Sequence, residues 1–173
     1  MRYDEAMITK AIPALWRALI QRVVAEYRAA LGHDLLGVAL FGSVARGEAG
    51  PESDLDLYVV TRSQVSALFD PRLDGVRGMR QSREYQELVQ RGYRPEPMPI
   101  LHTEEELAAH PWILLDVSHH GIILYDPEGV LARELEAVRR RLAELGSKRL
   151  ELPDGSWYWD LKPDWRPGDV IAL

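Results

Sequence analysis

The sequence contains no cysteine and no asparagine, three lysines against 18 arginines, and two phenylalanines. Without cysteine, disulfides and cysteine-built zinc sites are excluded. The loss of Cys and Asn together fits a heat-adapted protein. No apolar run approaches the roughly 20 residues that a membrane helix needs. The opening MRYDEAMITK carries two acids and no apolar core, so a signal peptide is not expected and the cytoplasm is the expected compartment. Basic residues are outnumbered, and the net charge is −6. A nucleic-acid binder more often carries a basic excess, so nucleic acid is not an expected partner, and without a long apolar run neither is a membrane. There is no internal repeat and no low-complexity tract. What remains is ordinary: 173 residues, 46% hydrophobic and 28% charged, suit one globular domain with a modest extension.

Apolar residues at helical spacing, Ile8, Ile12, Leu15, Leu19, Val23 and Tyr27, predict an amphipathic helix that runs to about Leu31 and stops at Gly32. Pro13 breaks it or marks its first turn. Residues 35–41 and 54–60 read as short buried strands. Residues 63–94 read as mostly helical and polar, broken near Pro71 and between Gly75 and Gly78. In 95–101 prolines recur at every second position. They remove amide donors along one side only, which suits an edge strand. Thr103 with three following glutamates predicts an N-cap. A strand is expected at 121–125, then a helix with Pro127 at its first position and a stripe from Leu131 to Leu145. The last 27 residues show no period and read as an extension pinned by tryptophans. Helices alternate with strands throughout, which predicts an α/β or α+β fold with a small mixed sheet flanked by helices.

The chemistry concentrates in Phe41-Gly42-Ser43-Val44-Ala45-Arg46-Gly47 and Ser53-Asp54-Leu55-Asp56-Leu57. The first segment follows a strand and opens a short helix. Gly42 permits a sharp turn and a close backbone approach. The Ser43 hydroxyl and the free amides after it can hold phosphate oxygens, with Arg46 as a charged donor. In the second segment, strand alternation puts Asp54 and Asp56 on one face. Two such carboxylates repel unless a cation lies between them. Mg²⁺ prefers one or two carboxylates, completed by water and substrate phosphates. A phosphate cradle beside a Mg²⁺ clamp is apparatus for phosphoryl or nucleotidyl transfer.

The stretch from Gly42 to Asp56 resembles the signature of the DNA polymerase β-like nucleotidyltransferase superfamily, its minimal members in particular. The resemblance implies a nucleotidyltransferase-like domain over 1–126, followed by a helix and a Trp/Pro-rich extension over 127–173. It implies Mg²⁺-dependent transfer of a nucleoside monophosphate from an NTP, ATP being the expected one, to an acceptor hydroxyl, with release of pyrophosphate. Asp54 and Asp56 would bind the metal, while Gly42, Ser43 and Arg46 would hold the nucleotide. The family places a third carboxylate on a later strand. The matching segment, 95–101, has only Glu96, which becomes the candidate for that role. Relatives modify small-molecule hydroxyls or a HEPN-type partner protein. The competing expectation is an antitoxin-like module that binds NTP and a partner without catalysis, and a Glu96 remote from Asp54 and Asp56 would favour it.

Other features carry plainer readings. Six arginines within 72–94 suit a solvated face with i,i+4 ion pairs. His119 and His120 are adjacent and point apart, so they predict no shared metal. Trp157, Trp159 and Trp165 pin the extension to apolar surface, with base stacking as the alternative.

Overall fold

In a computed structural model of the protein, the described residues are 12–173. Ile8, the first member of the expected helical stripe, lies outside the described residues. Helix α1, Ala14–Leu31, begins directly after Pro13 and stops at Gly32, which takes φ +53°. It buries Trp16, Leu19, Ile20, Val23, Tyr27 and Leu31 along one face. This is the stripe expected from spacing, widened by Trp16 and Ile20.

Four strands form one mixed sheet: β1, Leu35–Leu40; β2, Leu55–Thr61; β3, Pro97–Thr103; β4, Ile122–Tyr125. Their order is β3-β2-β1-β4. β1 runs antiparallel to β2 and β4, and β3 parallel to β2. The proline-alternating segment therefore occupies a sheet edge, as the missing amide donors require.

Both faces of the sheet are covered, so β1 and β2 read as almost unbroken apolar runs. Leu55, Leu57 and Val59 face α1 together with helices α3, Asp74–Arg77, and α4, Arg83–Gln90. Tyr58 and Val60 face the other way, toward helices α5, Glu104–Ala108, α6, Leu114–His120, and α7, Val130–Leu145. Helix α2, Gly42–Ala45, is the short turn after β1. Alternation along β2 puts Asp56 on the same side as Tyr58, beneath α6.

Three boundaries differ from expectation. The segment after Thr103 is two helices rather than one, separated around Pro111; Thr103 and Glu106 form a capping box at the start of the first. α7 starts at Val130, not at Pro127. The buried Asp126 carboxylate reaches forward to accept the amides of Leu131 and Ala132, at 3.3 and 2.8 Å, so Asp126-Pro127 is the capping turn. The C-terminal region is not wholly irregular. Strands β5, Lys148–Glu151, and β6, Trp157–Asp160, form a separate two-stranded antiparallel sheet. Among the described residues, no helix is long and apolar enough to cross a membrane.

Candidate active site

The site is built where β1 hands over to α2 and β2 begins. The Phe41 amide donates to the Asp56 carbonyl at 3.0 Å, which fixes the end of β1 against the start of β2. Gly42 then turns the chain with φ +72°. A Cβ built on Gly42 would lie 1.9 Å from Asp56 Oδ2 and 2.9 Å from its Cγ. Glycine is required twice here: for the left-handed backbone, and because the Asp56 carboxylate occupies the space of a side chain.

Ser43 does not cap α2, since Phe41 holds the cap position. Its hydroxyl donates to Ser53 Oγ at 2.9 Å, and Ser53 Oγ accepts the Gly50 amide at 2.9 Å. Two serines thus tie α2 to the residue before Asp54. The first amides of α2 have no acceptor within the helix.

A cavity of about 380 Å³ opens at this junction. Gly42, Ser43, Arg46, Asp54 and Asp56 all line it, so five of the six residues singled out in the sequence share one space. Asp54 is exposed and Asp56 half-buried. Burial, and then the neighbouring Asp54 charge, hold the Asp56 carboxyl above its ordinary range, while Arg46 pulls it back in part. A carboxyl whose charge is disfavoured by burial and by a neighbouring carboxylate is a ready partner for a cation. Among the described residues no three Asp, Glu or His side chains converge on one ion position. A Mg²⁺ ion held here would have to complete its shell with phosphate oxygens and water, as Mg²⁺ commonly does.

Glu96, the sixth, is not in this cavity. It precedes the regular part of β3, so strand alternation does not direct its side chain. Tyr85 donates its hydroxyl to Glu96 Oε1 at 2.6 Å, and Arg80 donates to Oε2 at 2.8 Å. Tyr85 belongs to the core on the opposite face of the sheet from Asp56. β3 pairs Met98, not an acid, with Asp56. The Glu96 carboxylate is committed to holding the edge strand onto α4. Glu96→Gln should therefore lower stability by about 1 kcal/mol, the ordinary loss for a partly exposed hydrogen bond. Transfer activity should stay near wild type; chemical denaturation and a rate assay on the same sample check both.

Besides Phe41, Glu52 and Ser53 beside the motif, three residues from distant segments that were not among the candidate site residues line the cavity. Asp116 and His120, four apart on α6, project from one helix face into the cavity. That i,i+4 spacing was the available signal in the sequence. The third is Trp157 on β6. Its indole N–H donates to Asp116 Oδ1 at 3.4 Å. The guanidinium carbons of Arg46 and Arg149 lie 4.7 and 4.4 Å from its ring centre. Trp157 thus anchors the hairpin, as expected, but also forms part of the site. Arg46 has a second partner in Glu48, at 2.7 Å.

The arginines of 72–94 lie elsewhere. Arg83 and Glu87 make the expected i,i+4 pair, Arg72 bridges Asp34 and Asp70, and Arg77 pairs with Asp74. None lines the cavity.

Solved structures with related folds include spectinomycin adenyltransferase AAD(9) from Enterococcus faecialis with ATP and spectinomycin. It is 15% identical over 75% of this chain and 66% of its own, with a TM-score of 0.51. A toxin–antitoxin structure with AMP-PNP is 15% identical over 73% of this chain and 91% of its own, TM-score 0.45. A tri-AMPylated Shewanella oneidensis HEPN toxin in complex with MNT antitoxin gives 14%, 75%, 92% and 0.40. At 15% identity the adenyltransferase speaks for the fold alone, a mixed sheet flanked by helices. No curated protein matches the sequence. A family model for the nucleotidyltransferase domain matches residues 22–125, more than half of the chain, and the protein belongs to that family of transferases of phosphorus-containing groups.

Proposed function

We propose that the protein is a Mg²⁺-dependent nucleotidyltransferase that moves a nucleoside monophosphate from an NTP, with ATP the expected donor, to a hydroxyl on a small molecule or a protein. One observation carries this reading: the Gly42 backbone lies hard against the Asp56 carboxylate, inside one cavity shared with Ser43, Arg46 and Asp54. Phosphate-binding donors and metal-binding acceptors are thereby brought to one place. We take 1–126 as the catalytic domain and 127–173 as an extension that supplies one wall through Trp157.

In this reading Asp54 and Asp56 hold the metal, while Ser43, the α2 amides and Arg46 orient the triphosphate. Bound Mg²⁺ would offset the charge that builds on the departing pyrophosphate. The acceptor oxygen forms a bond to the α-phosphorus as the bond to the bridging oxygen breaks. The hydroxyl proton passes to a base. Asp116 faces the cavity and takes the role first assigned to Glu96.

Ser43→Ala should weaken NTP binding by roughly tenfold or more, the loss of a hydrogen bond to a charged phosphate. Calorimetry in the presence of Mg²⁺ checks it. Unchanged affinity would reduce Ser43 to a tie between α2 and Ser53.

A second reading is favoured by the commitment of Glu96 to Arg80 and Tyr85. It makes the chain an NTP-binding, antitoxin-like module that acts by holding a partner protein. Incubation with labelled NTPs, Mg²⁺ and candidate acceptors, a HEPN-type protein among them, separates the two. A nucleotide adduct seen by mass spectrometry, and lost in Asp54→Asn, supports the enzyme. Tight partner binding with no adduct supports the module.

A further inference from the structure

A second cavity, of about 440 Å³, lies between α6, α7 and the β5–β6 hairpin. Ser118, His119, Arg139, Ser147, Arg149 and Trp159 supply its polar lining, and no carboxylate lines it. Two of these residues carry buried donors with no hydrogen-bond partner among the described residues, Arg149 Nε and Trp159 Nε1. Buried N–H groups in folded proteins are almost always paired. Two unmatched donors beside one cavity therefore call for an external acceptor.

Charge decides what kind of acceptor. Arg139 spends its Nε on the Ser118 carbonyl at 2.7 Å. Arg139 pairs with Glu136 at 3.4 Å and Arg149 with Glu151 at 2.7 Å, but these acids are 68% and 72% exposed, where solvent weakens the pairing. The cavity wall itself carries the two guanidinium groups and no carboxylate. Burial first, and Arg149 among the neighbouring charges, hold both His119 and His120 below the usual histidine range. Water would satisfy single donors, but it would leave the Arg149 charge with only its exposed partner Glu151, at 2.7 Å, and the Trp157 ring. An oxyanion answers both, because a guanidinium presents Nε and an adjacent N–H as a fork that matches two oxygens.

The geometry points to an oxyanion site of the phosphate class in this cavity, filled by a free ion or by the phosphorylated end of a small molecule. The site is independent of the proposed transfer reaction. It adjoins the candidate active site all the same, since Arg149 lies 4.4 Å from the centre of the Trp157 ring.

The test uses the full chain, free of nucleotide and metal. It is titrated at constant ionic strength with inorganic phosphate, pyrophosphate, and glucose 6-phosphate against glucose. Calorimetry gives the affinity, and the melting temperature must rise with ligand if the folded state binds it. At least one phosphate-bearing ligand should bind, and glucose should not. Phosphate and pyrophosphate binding without glucose 6-phosphate identifies a free-ion site; tighter glucose 6-phosphate identifies the phosphorylated end. Arg149→Gln should weaken the affinity by roughly tenfold or more. Trp159→Phe keeps the ring and removes only the N–H, so it should weaken binding by about fivefold while the hairpin stays folded. Arg83→Gln, a distant exposed arginine, should bind like the wild type. Failure of every phosphate-bearing ligand to bind would overturn the site. So would wild-type affinity in both cavity variants, or an equal loss in Arg83→Gln.

Discussion

Asp56→Asn should lose transfer activity by roughly 10²–10³-fold and yet melt at a higher temperature than the wild type in metal-free buffer. The two effects share one cause. In the folded protein, burial and the Asp54 charge raise the Asp56 pKa, so its ionisation opposes folding. The sign follows from proton counts. Between the ordinary carboxylate pKa, about 3.9, and the raised folded value, the native state binds more protons than the unfolded chain. Stability contributed by the neutral acid is complete below the ordinary value. It is lost as pH rises through the folded pKa, and the cost persists at neutral pH. Asparagine keeps the shape and removes the charge. The melting difference should therefore be positive at pH 7 and vanish in strong acid. Activity moves the other way. A metal ion contributes several kcal/mol of transition-state charge stabilisation, so loss of a ligand costs roughly 10²–10³-fold. Thermal scans across pH, with an adduct assay, check both halves. A variant that keeps transfer activity, or that melts lower at neutral pH, contradicts the assignment of Asp56.

Gly42→Ala should be as inactive as Asp56→Asn and should melt lower instead of higher. The new methyl would overlap the Asp56 carboxylate, which has to rotate out of the cavity. The left-handed backbone at φ +72° adds about 1 kcal/mol of strain for any residue with a Cβ. Because both variants act on one carboxylate, their effects on activity should not add: the double variant should be no slower than either single one. An additive loss would mean that Gly42 serves the nucleotide by a route separate from Asp56. A crystal structure of Gly42→Ala with Asp56 unmoved would do the same.

The parts of this site that were legible in the sequence are those whose chemistry is local. Gly42, Ser43, Arg46, Asp54 and Asp56 lie within 15 residues, and a strand-turn-helix followed by a strand is enough to bring them together. The edge position of β3 was legible because proline's missing amide acts wherever the chain goes. The start of α7 was misplaced because the Asp126 carboxylate caps amides five and six residues ahead, a reach no propensity encodes. Glu96 became the candidate third carboxylate because it is the only acid in 95–101, but it stands one residue before the start of β3. There Tyr85 and Arg80, contributed by α4 and the turn before it, decide its direction. The place of Asp116 and Trp157 in this cavity was not legible, for a deeper reason. They reach the cavity only after α6 crosses the sheet and the hairpin folds back on it, contacts made across 60 and 100 residues of chain.

The β5–β6 hairpin pairs its two strands with each other and shares no ladder with the four-stranded sheet. A lone two-stranded hairpin is marginal in water, so this one persists through side-chain docking, with Trp157 against Arg46 and Asp116 at its centre. The amides of Lys148–Glu151 and Trp157–Asp160 should thus exchange with deuterium by a local opening, well before those of β1 and β2. One wall of the candidate active site is then a separate cooperative unit, able to undock while the carboxylates stay in place. A nucleotide that touches Trp157 would close that unit, and would announce its binding as slowed exchange in a segment beyond residue 125, where the family match ends.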